Sequence, residues 1–221
     1  MLNNLEIVMR KEILKLILVS TTLISVSGCS MFGVATTEEA KYQIISKEKN
    51  YSVREYSPVM IASVTVKNED YSDASSKGFR VLFKYIGGNN ISQEKISMTA
   101  PVVSTPESQD ISMTAPVFIK PDSSNTWTVS FVMPANFTPE NTPKPKSDDI
   151  KISQRSSVRV AVLEFSGLIN DRSIEENTKN LEKWVVSQDM KIIGTPIVAG
   201  YNPPWTLPFL RRNEIQIPIE K

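Results

Sequence analysis

Apolar positions along this chain follow three kinds of pattern. The first is a continuous run of about eleven residues, Leu16 to Val26. The second is short alternating or β-branched stretches, which predict strands at Tyr42–Ile45, Tyr51–Tyr56, Val59–Val66, Trp127–Met133, Ser157–Phe165, Pro196–Tyr201 and Glu214–Ile219. In the Trp127 segment, Trp127, Val129, Phe131 and Met133 fall on one face. The third has helical spacing. Phe79, Leu82, Phe83 and Ile86 recur at i, i+3, i+4 and i+7, which predicts a helix over Asp73–Ile86 with Asp73 as its cap and Gly87-Gly88 as its stop. Ile174, Thr178, Leu181 and Val185 form a second stripe, with Ser173 or Asp171 as the cap. Pro134–Asp149, with four prolines, reads as an irregular loop.

The order of these elements repeats. A strand, a helix and two strands occur twice, and Ser57–Val66 echoes Ser157–Phe165, as Tyr85-Ile86-Gly87 echoes Ile192-Ile193-Gly194. Such a period points to internal duplication. Two units of this kind bury their apolar faces together, so the predicted class is α+β: duplicated strand-helix-two-strand units in a distorted antiparallel β-barrel with two flanking helices. A shorter repeat lies within the first unit. Ile96-Ser97-Met98-Thr99-Ala100-Pro101-Val102 recurs without change as Ile111–Val117, and each copy predicts an extended segment closed by a proline that cannot donate a ladder hydrogen bond.

The Met-Thr-Ala-Pro-Val segments, followed by Tyr201-Asn-Pro-Pro-Trp-Thr-Leu-Pro-Phe-Leu-Arg-Arg-Asn-Glu214, resemble the SOUL family of haem-binding proteins from about Lys41 onward. The end of the first helix, Lys84-Tyr85-Ile86-Gly87-Gly88, resembles that family's Lys-Tyr-hydrophobic-Gly-Gly helix end, beside its proposed tetrapyrrole groove. The resemblance implies the duplicated architecture described above. It also implies that Phe79 and Phe83 lie against the flat macrocycle while Arg80 or Lys84 meets its propionates. Core packing and simple solvation are the alternatives for these four residues.

The apolar run changes the picture at the N-terminus. Arg10, Lys11 and Lys15 precede it, and Val26-Ser27-Gly28-Cys29 fits the bacterial lipobox. A run of eleven falls well short of the roughly twenty residues that span a bilayer. The expected organisation is a lipoprotein signal peptide over 1–28, a lipidated tether over 29–40 with Cys29 diacylated, and a SOUL-like domain over 41–221. Ser30 suits onward transfer to the periplasmic face of the outer membrane in a double-membraned host. Met9-Arg10-Lys11 makes a more typical signal-peptide start than Met1.

Charge and composition exclude several classes. The segment 1–28 holds three of the 25 basic and two of the 24 acidic residues, leaving 22 of each in the remaining 193. A balanced surface without a basic run gives nucleic acid no long-range attraction. The chain contains no histidine, which removes Ser-His-Asp, Cys-His and HExxH chemistry and any His-bound metal. It has one cysteine, so no internal disulfide, and no GxGxxG or P-loop. No catalytic residue and no metal site is assigned.

Haem, if held without histidine, depends on apolar contact and propionate pairing, with a Tyr or Met ligand as an addition. Met98 and Met113 occupy equivalent places in the repeated heptapeptides; each is either an axial ligand or a core filler. Arg211 and Arg212 are candidates for propionates, with carboxylates such as Glu214 as the alternative partners. The stiff Tyr201–Arg212 segment either caps the barrel or lines a mouth. Glu164, in an apolar strand, is either a buried carboxylate suited to a cationic ligand, as in the distantly similar effector-binding domains of multidrug regulators, or a solvent-facing residue. The expected function is therefore a membrane-anchored, monomeric protein that carries or buffers haem or a related tetrapyrrole. A general binding module for small hydrophobic or cationic molecules is the alternative. An enzyme using a lone glutamate and a purely structural surface protein rank below both.

Overall fold

The computed structural model describes residues 37–67, 70–93, 108–122 and 125–221. Cys29, the signal segment and the first heptapeptide with Met98 lie outside the described residues. Among the described residues, the strands, the two α-helices and both core clusters fall between Glu38 and Ile219.

The first unit consists of β4 (Val59–Lys67), α1 (Tyr71–Ile86), β7 (Val117–Pro121) and β8 (Thr126–Val132). The second consists of β11 (Val158–Phe165), α2 (Asp171–Ser187), β12 (Ile197–Gly200) and β13 (Asn213–Pro218). In each unit the outer strand pairs with the last strand and the last with its predecessor, β4-β8-β7 and β11-β13-β12, and the units meet where β7 pairs with β12. A further strand precedes each unit, β3 (Tyr51–Tyr56) and β10 (Ile150–Arg155), and each pairs with the opposite unit: β3 with β11, β10 with β4. With β2 (Tyr42–Glu48) on the β3 edge, the result is a nine-stranded antiparallel sheet curled into a half-barrel, with two helices outside. The predicted class and the duplication hold, and the exchange of β3 and β10 gives eight of the nine strands a twofold order, with β2 added at one edge.

Four two-residue strands complete the fold: β1 (Glu38–Glu39) pairs in parallel with β6 (Thr114–Ala115), and β5 (Asn90–Ile91) pairs antiparallel with β9 (Lys144–Pro145). The second heptapeptide becomes β6 and the first residue of β7, separated by Pro116, as its proline predicts. Residues before Lys41 already belong to the described fold, because Glu38 and Glu39 pair with β6 and Ala40 is buried. β10 escapes the sequence reading, since Lys151-Ile152-Ser153-Gln154 offers too few apolar residues to mark a strand.

Period-two alternation sends side chains to two buried layers. Val129, Phe131 and Met133 share one face, as predicted, and that face is turned to the helices together with Val64, Leu163, Ile215 and Ile217. The alternate positions, among them Tyr56, Phe118, Val160, Val162 and Ala199, fill a second cluster on the face turned away from the helices. The helix caps differ by a few residues from expectation. Asp70 caps α1, accepting from the Asp73 amide at 2.8 Å, and Asn170 caps α2 in a reciprocal box with Ser173. Gly78 lets α1 press onto β8: a Cβ there would lie 2.4 Å from Val129 Cγ2. Among the described residues no helix is long and apolar enough to cross a membrane.

Candidate functional site

The apolar stripe of α1 is wider than the sheet can cover. Its buried residues are Tyr71, Ala74, Gly78, Leu82, Tyr85 and Ile86. Phe79 and Phe83 lie at the margin: Phe79 leans edge-on against Phe131, with ring centroids 5.2 Å apart, and Phe83 stacks on Phe79 at 5.7 Å while staying 53% exposed. A groove of about 480 Å³ runs along this margin, and the described residues that line it all belong to α1: Lys77, Phe79, Arg80, Val81, Phe83 and Lys84. Arg80 and Lys84 are exposed there. Arg80 Nε donates to the Ser76 carbonyl at 3.2 Å. An aromatic ledge flanked by two cations can hold a flat apolar anion.

The opposite face of the sheet is built differently. Glu214 is completely buried at its centre. Its Oε1 accepts from Arg54 Nη1 at 2.9 Å and from Arg212 Nη2 at 2.8 Å, and its Oε2 accepts from the Tyr201 hydroxyl and Gln216 Nε2, both at 2.9 Å. Burial pushes this carboxyl upward, but the two guanidinium groups outweigh it and hold it below the usual carboxylate range. Burial, reinforced by Glu214, raises the Tyr201 phenol well above its ordinary value. Arg212 also covers the Tyr201 ring at 3.8 Å and pairs with Glu39 at 3.0 Å. Arg155 sits over Phe118 at 4.8 Å and over Tyr56 at 5.8 Å. Gln216 Oε1 is buried with no hydrogen-bond partner among the described residues. This face supplies its own cations to its acid and its aromatic rings.

Phe79, Arg80, Phe83 and Lys84 therefore meet at one groove. The other predicted residues do not join them. Met113 is half-buried against the helix-side core and is not among the described residues lining the groove. Arg211 ties its own loop together, donating to the carbonyls of Thr206 at 2.8 Å and Pro204 at 2.5 Å. Arg212 serves Glu214 and Glu39, the carboxylate alternative. Glu164 is half exposed at the rim of the opposite face, 3.9 Å from Arg54 and 3.8 Å from Arg212. The buried acid of the sheet is Glu214, its cross-strand partner. Reading Asn213-Glu214-Ile215-Gln216-Ile217 alone suggests a wet polar face. Only the curl of the sheet, which buries both layers, identifies Glu214 as interior.

The twofold α+β half-barrel with two outer helices places the chain among small duplicated domains. The sequence pattern of the SOUL heme-binding protein family matches residues 37–218, and the chain belongs to that family. Human heme-binding protein 2 is 32% identical over 170 residues, covering 75% of this chain and 76% of its own. Heme-binding protein 1 of Xenopus tropicalis is 26% identical over 190 residues, covering 84% and 93%. Among solved structures, the EcmrR C-terminal domain superposes with a TM-score of 0.54 at 17% identity, over 81% of this chain and 98% of that one. An uncharacterised conserved protein from Listeria innocua gives 0.55 at 10% identity, over 79% and 94%. At these identities the structural likenesses concern the fold alone.

Proposed function

We propose that this protein binds haem or a related tetrapyrrole non-covalently in the groove along α1, and carries or buffers it at a membrane surface. The observation that carries the reading is the exposed Phe83 stacked on Phe79 between Arg80 and Lys84, in a chain whose relatives are named heme-binding proteins. Phe79 and Phe83 would contact the macrocycle, and Arg80 and Lys84 its carboxylates. These residues fit an apolar ring with anionic edges. With no histidine in the chain, the grip comes from apolar contact and charge, which favours exchange over redox chemistry. Arg211 and Arg212, engaged within the protein, take no part in this reading. The anchor is a diacylated Cys29, which would hold the domain at the periplasmic face of an outer membrane.

The test is a titration of the chain from Cys29 with haemin, following the Soret band. Saturable binding at micromolar concentration is expected, and its absence rejects the reading. A second reading, a general module for small hydrophobic or cationic molecules, draws on the buried acid and tyrosines of the opposite face. Against it, two guanidinium groups already satisfy Glu214, and Arg155 covers Tyr56 and Phe118. Saturable binding of a cationic dye that Glu214→Gln abolishes, with haemin unaffected, would favour this second reading.

A further inference from the structure

Among the described residues, three phenylalanine or tryptophan side chains are mostly exposed: Phe83 in the groove, and Trp205 and Phe209 on the loop joining β12 to β13. Trp205 is 65% and Phe209 69% exposed, with Leu207 at 41% between them. Leu168, at 55%, follows Gly167, whose amide donates to the Pro208 carbonyl at 2.8 Å. This loop is not loose. Thr206 N donates to Pro203 O at 3.1 Å, Leu210 N to Leu207 O at 2.9 Å, and Arg212 N to Asn202 Oδ1 at 2.6 Å, while Arg211 bonds two of its carbonyls from within. A short 3₁₀ turn, Pro208–Leu210, finishes the brace. The polar groups of the loop are turned inward and its apolar side chains are held outward, so the patch is preorganised for an apolar partner.

The position of the patch indicates which partner. Arg212, the last residue of the loop, pairs with Glu39 at 3.0 Å, so the loop base adjoins β1, where the described fold begins. Eight residues lie between Cys29 and Glu38, a reach of at most about 30 Å. A lipid on Cys29 would hold this end of the domain close to a bilayer. Tryptophan, phenylalanine and leucine side chains suit the boundary between headgroups and acyl chains, and a second attachment makes a single tether firmer. We infer that the Tyr201–Arg212 loop is a bilayer-docking surface that inserts Trp205, Leu207 and Phe209 into the outer part of a lipid leaflet and fixes the domain's orientation.

The inference rests on the proposed anchor only for the direction it gives, and the experiment supplies the tether chemically. The chain from Cys29 would be coupled through its one cysteine to maleimide-headgroup lipid in vesicles of phosphatidylcholine and phosphatidylglycerol containing a brominated-chain lipid. Tryptophan emission should shift to the blue and be quenched by bromine, and Trp205→Leu should remove that quenched component. Leu207→Ser with Phe209→Ser, both at exposed positions, should reduce the quenching at least severalfold. Equal quenching in wild type and Trp205→Leu, or none in either, overturns the inference. So does a concentration-dependent dimer that shifts Trp205 emission without vesicles, or haemin that displaces the loop from lipid. The mass of Cys29 in protein from its own host tests the anchor separately, and an unmodified thiol there leaves the loop result standing.

Discussion

α1 and α2 hold equivalent places in the two halves, yet their flanks differ. Beside α2, Trp184 stacks on Tyr51 with ring centroids 5.1 Å apart and 19° between planes, and its Nε1 donates to Glu48 at 3.1 Å. The β2–β3 hairpin thus closes that seam with an aromatic of the protein's own. Beside α1, Phe83 stacks, among the described residues, only on Phe79 and stays mostly exposed. One half has completed its helix–sheet contact and the other leaves an aromatic ledge with cations beside it. Duplication supplied two scaffolds, and the groove proposed above as the ligand site lies beside only one of them.

The largest expected effect lies in the charge network of the second half. Glu214→Gln leaves Arg54 and Arg212 facing a neutral amide and should cost about 3 kcal/mol, measured by urea unfolding, while haemin binding at α1 stays unchanged. The same residue sets a pH dependence. Its folded-state pKa is depressed, so its stabilisation is fully present above the unfolded carboxylate value of about 4.3 and is lost as pH falls through the lower folded value. Wild type should therefore lose more stability than Glu214→Gln between about pH 5 and pH 3.

Trp184→Ala opens the closed seam and should cost about 2 kcal/mol, less than a fully buried tryptophan, again without effect on haemin. On the open side the order reverses. Phe83→Glu should weaken haemin binding about tenfold, or ~1.4 kcal/mol, and shift stability by less than about 0.5 kcal/mol. Arg80→Gln with Lys84→Gln, which removes two exposed cations, should weaken binding about threefold and make it less sensitive to salt. If Phe83 proved as costly to stability as Trp184, the contrast between the halves would fail.

The sequence made much of this architecture legible. Alternation at Trp127–Met133 placed its helix-facing side chains correctly, because that face is apolar without interruption. The stripe at Phe79, Leu82, Phe83 and Ile86 located α1 but left Phe83 open between core and groove; spacing reports which residues share a face, not how far a sheet extends beneath it. Glu214 was hidden for a related reason. A polar residue alternating with isoleucines reads as solvent-facing unless the sheet is known to curl over it and bring Arg54 and Arg212 to its oxygens. Arg211 and Arg212 could be named as a functional pair from sequence, but their actual bonds depend on loop carbonyls and on Glu39, which no local pattern foretells.

Iron offers the most direct check on where the ligand sits. In crystals of the chain grown with haemin, the anomalous signal at the iron edge should form a peak over the Phe79–Phe83 ledge of α1. A peak on the opposite face, against Tyr56 and Tyr201, would contradict the account, as would crystals from saturating haemin with no ordered iron in the groove.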